Sequence, residues 1–329
     1  MNIYLKIFLV AVLSFVLMFG SGMYAFNKYY VDNSEDLTDV KVIGLDMQEN
    51  NDPDKTEKVP EKPVIAEKTK LEKLIEESNR VNILVFGTDG GRADTIFLLS
   101  YDPDKDIADL ISIPRDTYHK IEGFDAPGQN KINAVYGFKD LGGSKGMKYF
   151  LGEFLNVPID SYVKVNYNGV AAIIDVMGGI KVNVPFDMNY DDEWAEPELH
   201  IHFEKGEQVL NGKQSVEYLR WRKNNGEEGR GDLDRIKRQQ DFVKKVVSKA
   251  IGLKLPKVVK TSLNYIRTDM SAGDIINLAT KASNFKTKDL KTYRIPGRVG
   301  TDGHGLYIHN PEELEKMFED IYLREEIEE

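Results

Sequence analysis

Asp89 and Asp94 flank Arg92 and a Gly-Gly pair in FGTDGGRADTIFLLS, residues 86–100, and an apolar run follows at once. A turn needs polar residues, but it does not need two carboxylates and a guanidinium. Two close acids in a Gly-rich turn are hard oxygen donors of the kind that hold Mg2+ or Mn2+, ions that also take phosphate oxygens. Stretches far along the chain carry matching cations: Arg115 in SIPRDTY, Arg220 and Arg222 in YLRWRK, and Arg235 with Gln239 in DLDRIKRQQDFVKKVV. Arginine presents a planar fork suited to bidentate phosphate contacts. Brought together, these groups make a pocket for a diphosphate with a divalent ion.

The elements around them say whether they meet. VNILVF, TIFLLSYD and DLISIP are short β-rich runs separated by GTDGGRAD and DPDKDIA, which predicts a three-strand meander. Pairing in sequence order places the end of the first strand, the start of the second and the end of the third along one sheet edge. Asp89, Arg92 and Asp94 then come beside Arg115. On a long helix from Asp232, a turn of about 100° per residue sets Arg235, Gln239, Phe242 and Val246 on one stripe. Phe242 and Val246 are core residues, so the stripe faces inward. A guanidinium turned inward is costly unless an anion or acceptor meets it. Arg220 and Arg222 are two apart, which in an extended segment points both to one face.

The other patterns supply the frame. SKGMKYFLGEFLN, YNGVAAIIDVMGG, SAGDIINLATKAS and PEELEKMFEDIY read as helices, and LNGKQSVEYLRWRK as a helix running into an extended segment. DSYVKVN, IKVNVP and LKTYRIP read as strands. The expected fold class is α/β: a mixed, largely antiparallel sheet sandwiched between helices in three layers, with one N-terminal transmembrane helix.

The net charge of −10 over 329 residues is unevenly spread: +2 in residues 1–30, −6 in 31–80, −7 in 312–329, and near +1 in between. The acidity belongs to a linker and a tail, so a local basic pocket is compatible with it. Without cysteine there is no disulfide, thiolate catalysis or thiolate metal ligation. Residues 7–26 are uncharged and mostly apolar, long enough to span a hydrocarbon core of ~30 Å. The expected order is a cytoplasmic stub at 1–6, a transmembrane anchor at 7–26, a flexible acidic linker at 27–80 and an extracytoplasmic domain at 81–325. KLEKLIEESNR, at the linker's end, reads as a helical lead-in.

Several other residues have plainer readings. His200 and His202 in LHIHF share a strand face and could bind metal, but with no third ligand evident they read as structural. Asp232 reads as a helix cap, Asp116 as a turn acceptor, Trp221 as packing and RGD at 230–232 as a chance tripeptide.

In order, GTDGGRADTIFLLS, LISIPRDTY, KINAVYGF, YVKVNYNGVAAIIDVMGGIKVNVPFDM, FEKGEQVLNGKQSVEYLRWRK and GDLDRIKRQQ closely resemble the LytR-CpsA-Psr family of cell-envelope proteins. The resemblance spans residues 81–250 and continues more loosely to the C-terminus. It implies a phosphotransferase outside the membrane. Such an enzyme moves a glycopolymer, of the teichoic acid or capsular type, from a polyprenyl-pyrophosphate carrier to peptidoglycan. It implies Mg2+ on Asp89 and Asp94. Arg115, Lys131, Arg220, Arg222 and Arg235, with Gln239, would grip the pyrophosphate, and Arg92, Arg115, Arg220 and Arg222 would form the catalytic set. The lipid tail would lie in an apolar tunnel between sheet and helices, and no nucleic-acid partner is expected. Two departures stand out. Only four residues separate the two acids where many relatives have a longer loop, so Asp94 matches more directly than Asp89. Asp234 stands where glycine is common. The base that would deprotonate the acceptor stays open among Asp89, Asp94 and Asp116. A pyrophosphatase and a non-catalytic lipid-carrier-binding protein are the alternative activities.

Overall fold

The computed structural model describes residues 68–89, 91–124, 126, 128–195, 198–226, 232–250, 264–282, 285–300 and 305–325. The expected transmembrane anchor at 7–26, the stub before it and nearly all of the linker lie outside the described residues. Among those described, no helix is long and apolar enough to cross a membrane.

Helix α1 (Lys70–Glu76) is the helical lead-in, and the folded body starts with it, because Leu71 is fully buried in the main core. Strands β1 (Val81–Asp89), β2 (Arg92–Asp102) and β3 (Ile107–Ile113) form the antiparallel meander that their alternation predicts. All seven positions of β3 are buried, the pattern of a strand covered on both faces. A short 3-10 helix (Ile132–Gly137) leads to α2 (Gly143–Leu155), which ends at Asn156 in the left-handed conformation. The chain then adds β4 (Ser161–Val165), parallel to β1, and enters α3 (Tyr167–Met177).

The next segment leaves the main sheet. Strands β5 (Ile180–Val184), β6 (Met188–Asp192), β7 (Leu199–Phe203) and β8 (Gly206–Leu210) form two separate two-stranded pairs, β5 with β8 and β6 with β7. Only Ile180–Val184 and the LHIHF run were read as strands from sequence. Helix α4 (Gly212–Arg220) follows, started by an Asn211–Gln214 capping box. Helix α5 (Asp232–Ala250) comes next. Strand β9 (Ile266–Thr268), helix α6 (Ala272–Lys281), strands β10 (Leu290–Arg294), β11 (Gly297–Val299) and β12 (Tyr307–His309), and helix α7 (Pro311–Tyr322) complete the body.

The central sheet runs β10-β3-β2-β1-β4-β9, mixed and mostly antiparallel, with only the β10–β3 and β1–β4 pairs parallel. On one face Leu84, Ile96, Leu98 and Ile111 pack with Met147 and Leu151 of α2 and Phe318 of α7. On the other, Phe97, Tyr101 and Leu110 pack with Val243 and Val247 of α5 and Leu278 of α6. A second core joins α3, α4, α5 and the two strand pairs around Ile201, Tyr218, Trp221 and Phe242.

At the end of the sheet where β1 begins, three charges are buried together. Arg80 donates to Asp109 at 2.9 Å and to the Ser100 hydroxyl at 3.2 Å, and Arg324 donates to the other Asp109 oxygen. The side chains of Arg80 and Asp109 have no solvent exposure. Arg80, assigned from sequence to the linker, is therefore part of the body.

Candidate active site

The opposite end of the sheet gathers the functional side chains. The Asp89–Arg92 turn closes β1 onto β2, Arg115 follows β3, and Tyr167 follows β4. Gly137 lets the 3-10 helix approach this turn, since a Cβ there would lie 2.6 Å from the Gly91 carbonyl oxygen. Asp94, two residues into β2, is half-buried. Arg115 donates through Nη1 to Asp94 Oδ1, and the Tyr167 hydroxyl donates to Oδ2 at 3.2 Å. Arg115 Nε lies 3.5 Å from Asp116 Oδ2, and Lys131 Nζ donates to Asp116 Oδ1 at 2.9 Å. Burial alone would raise the Asp116 pKa. The Lys131 hydrogen bond and the charges of Arg115, Lys131 and Arg235 outweigh it and hold the carboxyl below the ordinary range.

Arg235 and Gln239 reach the site from α5, both buried as the helical stripe requires. Gln239 Nε2 donates to the Thr95 hydroxyl at 3.4 Å, and Arg235 acts on Asp116 through its charge. Phe242, one turn further along the stripe, is in the second core. Arg220 is the last residue of α4, and its guanidinium lies 4.8 Å from the centre of the Tyr167 ring.

The two arginines of YLRWRK do not both lie in an extended segment. Arg220 ends the helix, Trp221 turns extended at its C-cap and is buried, and Arg222 is exposed on the following segment. Both remain within electrostatic reach of Tyr190: burial and its hydrogen bond to Asp192 raise its pKa, and Arg222 and Arg220 pull it down. That segment is tied to β6, where Asn225 N donates to Asn189 O at 3.0 Å. Arg92 is exposed, at the rim, on the side of Gly128. Asp89 ends β1 opposite Arg92, and its side chain lies outside the described set.

Among the described side chains, Arg115, Lys131, Arg220 and Arg235 thus surround Asp94 and Asp116, leaving an excess of cationic charge suited to an anion. Each Asp94 oxygen accepts one described donor and has a second lone pair, so this carboxylate has the donor chemistry that a hard divalent cation takes. Among the described residues, no group of three or more His, Asp or Glu is arranged to hold a metal. His200 and His202 instead share Asp191 Oδ1 at 2.8 and 3.2 Å on the exposed face of β7.

A family model matches residues 40–321. The chain belongs to the LytR_cpsA_psr family. It is 31% identical over 257 residues to the polyisoprenyl-teichoic acid–peptidoglycan teichoic acid transferase TagU of Bacillus subtilis strain 168, covering 75% of this chain and 78% of the relative. The crystal structure of B. subtilis TagV superposes with a TM-score of 0.60 at 28% identity, covering 75% of this chain and 98% of that one. That of B. subtilis TagU gives 0.53 at 28% identity, over 77% of this chain and 100% of the other.

Within this LytR_cpsA_psr domain, the sequence reading passed over two residues that shape the site. One is Tyr167, whose only sequence signal is its place at a helix start, after Asn166, whose side chain accepts from Gly169 N. The other is Arg238. It donates to the Tyr218 carbonyl at 3.1 Å and to that of Trp221, and it lies over both rings. Burial lowers its pKa to about 10, so it stays charged at neutral pH, holding the end of α4 from which Arg220 projects.

Proposed function

We propose that this protein is a phosphotransferase that moves an anionic glycopolymer from a polyprenyl-pyrophosphate carrier to peptidoglycan. The acceptor hydroxyl gives its proton to a site carboxylate among Asp89, Asp94 and Asp116 and attacks the phosphorus that bears the polymer, the bond from that phosphorus to the bridging oxygen breaks, and polyprenyl phosphate leaves. The observation that carries this is the convergence on Asp94 and Asp116 of cations from four separate elements. Phosphoryl transfer asks for positioning and charge neutralisation rather than a covalent nucleophile, and the site offers both.

Arg115, Lys131, Arg220, Arg222, Arg235 and Gln239 hold the pyrophosphate oxygens, and Arg92 serves at the rim. Asp89 and Asp94 hold Mg2+, which when bound draws negative charge from the diphosphate. The apolar side chains between the sheet and α5 and α6 support a seat for the lipid tail. Residues 7–26 anchor the chain in the cell membrane, with the N-terminus inside and the domain outside. The name of TagU supports the choice of polymer and acceptor.

The test is to incubate the full-length protein in detergent with lipid-linked teichoic acid, Mg2+ and peptidoglycan fragments. Polymer joined to glycan, abolished by Asp94→Ala, is the expected result. Polyprenyl phosphate released at the same rate without acceptor would identify a pyrophosphatase instead.

A further inference from the structure

Both oxygens of Asp94 are engaged, by side chains of different kinds. Arg115 brings charge to Oδ1, whereas Oδ2 receives the neutral Tyr167 hydroxyl at 3.2 Å. The same ring carries the Arg220 guanidinium 4.8 Å from its centre. One side chain therefore touches both the acid and a phosphate-directed cation. We infer that Tyr167 is a positioning residue for the transfer reaction, its hydroxyl orienting the Asp94 carboxylate and its ring face setting where Arg220 points; this rests on the function proposed above.

The backbone makes the arrangement specific. Tyr167 is the first residue of α3, and the Asn166 side chain caps that helix by accepting from Gly169 N at 2.9 Å. Because β4 runs parallel to β1, the start of α3 arrives beside the β1–β2 turn that leads to Asp94. Helix α4 packs antiparallel on α3: Gly212 N donates to Asp175 near the far end of α3, and Arg220 meets Tyr167 at the near end. The ring is half-buried, and its hydroxyl ends on a carboxylate. A tyrosine that only filled space would need neither feature.

The two contacts separate by mutation. Tyr167→Phe keeps the ring beneath Arg220 and loses the hydroxyl. Tyr167→Leu loses both. Isothermal calorimetry with Mg2+ and with inorganic pyrophosphate reads each contact without turnover. Losing a hydrogen bond to a charged group weakens Mg2+ binding roughly tenfold in both variants. Losing the cation–π contact weakens pyrophosphate roughly 2- to 30-fold in Tyr167→Leu, while Tyr167→Phe stays within about twofold of wild type. In the transfer assay, the difference in kcat/KM for the lipid-linked donor between Tyr167→Leu and Tyr167→Phe largely disappears in an Arg220→Ala background, because that change has already removed the ring contact. Thermal melting confirms that each variant is folded. Wild-type affinities in both variants, or equal pyrophosphate loss in Phe and Leu, overturn the inference. Wild-type protein that binds both ligands yet transfers nothing overturns the transferase reading and leaves only the ligand-binding part of this one, Tyr167 orienting Asp94 and Arg220, to be decided by the calorimetry.

Discussion

The position of Arg220 depends on how closely α4 lies on α3, and Gly212→Ala tests that dependence. A Cβ at Gly212 would sit 2.2 Å from the Ala171 carbonyl oxygen and 2.7 Å from Asp175 Oδ2. The carbonyl is rigid backbone, so α4 must move by about 1 Å to restore ordinary contact, a shift that costs roughly 1–3 kcal/mol. The movement also strains the Gly212 N–Asp175 bond of 2.7 Å, worth about 1.5–3 kcal/mol for a charged acceptor. Alanine's better helix propensity returns at most about 1 kcal/mol. The expected net loss of roughly 2–3 kcal/mol lowers Tm by roughly 5–10 °C for a domain of this size. Arg220, at the other end of this nine-residue helix, is displaced from Tyr167, and transfer falls roughly 2- to 30-fold. Gly273→Ala, early in α6, is the control, because its Cβ would meet only Ser271 Oγ at 3.5 Å. Circular-dichroism melting of the two variants beside wild type makes the measurement. A Gly212→Ala protein that melts at or above the wild-type temperature would refute the packing argument, and one that melts lower but transfers normally would refute the link to Arg220.

Asp109→Asn leaves two buried guanidinium groups around an uncharged amide, and unfolding by denaturant should show a loss of about 3–5 kcal/mol. Transfer per folded molecule stays unchanged, because Asp109 lies at the end of the sheet opposite Asp94. His119 and His309 both contact Phe154, and burial lowers the pKa of each, with the charge of His309 adding to the effect on His119. Folding therefore favours their neutral forms, so their contribution is intact above the unfolded value of about 6.5 and is lost as pH falls below it. His200, raised by its bond to Asp191, works in the opposite sense. The His119→Phe, His309→Phe double variant should accordingly lose less stability than wild type in melts taken from pH 7.5 down to 5.5. Arg222→Ala, at an exposed position, should melt within about 1 °C of wild type, as surface changes usually do. It should nevertheless lower transfer by more than tenfold in the lipid-linked donor assay, as removal of a charge-stabilising group does.

The parts of the fold that read clearly from sequence are those with a strong period. The meander followed from three β-rich runs and the turns between them, and its register alone brought Arg115 to Asp94. The inward stripe of α5 followed from 3.6-residue spacing, which placed Arg235 and Gln239 before any contact was known. In the two small strand pairs, β6 and β8 did not read clearly. In MNYDDEW the apolar signal is diluted by acids, and β8 alternates over only five residues beside a solvated face. The sequence reading put both YLRWRK arginines in an extended segment, whereas the helix carries through Arg220 and turns extended only at Trp221. Tyr167 escaped notice because its partners, Asp94 and Arg220, are set by tertiary packing and are 73 and 53 positions away in the chain. Arg80 was placed in the linker because its partners Ser100 and Asp109 are likewise set by strand pairing, 20 and 29 positions away.

That last cluster bears on how the molecule carries mechanical load. Lys70 of α1 is bonded to Glu319 of α7 at 2.7 Å, and Arg80 and Arg324 grip the same carboxylate. The first and last helices of the body are thus joined directly by Lys70–Glu319, and the segments beside them are both tied to β3 through Asp109. Tension on a tether leading into Lys70 is met at this clasp, at the end remote from Asp94. The arginines around Asp94 lie at the opposite end of the sheet, so a load applied at Lys70 meets the Lys70–Glu319 and Asp109 bonds first.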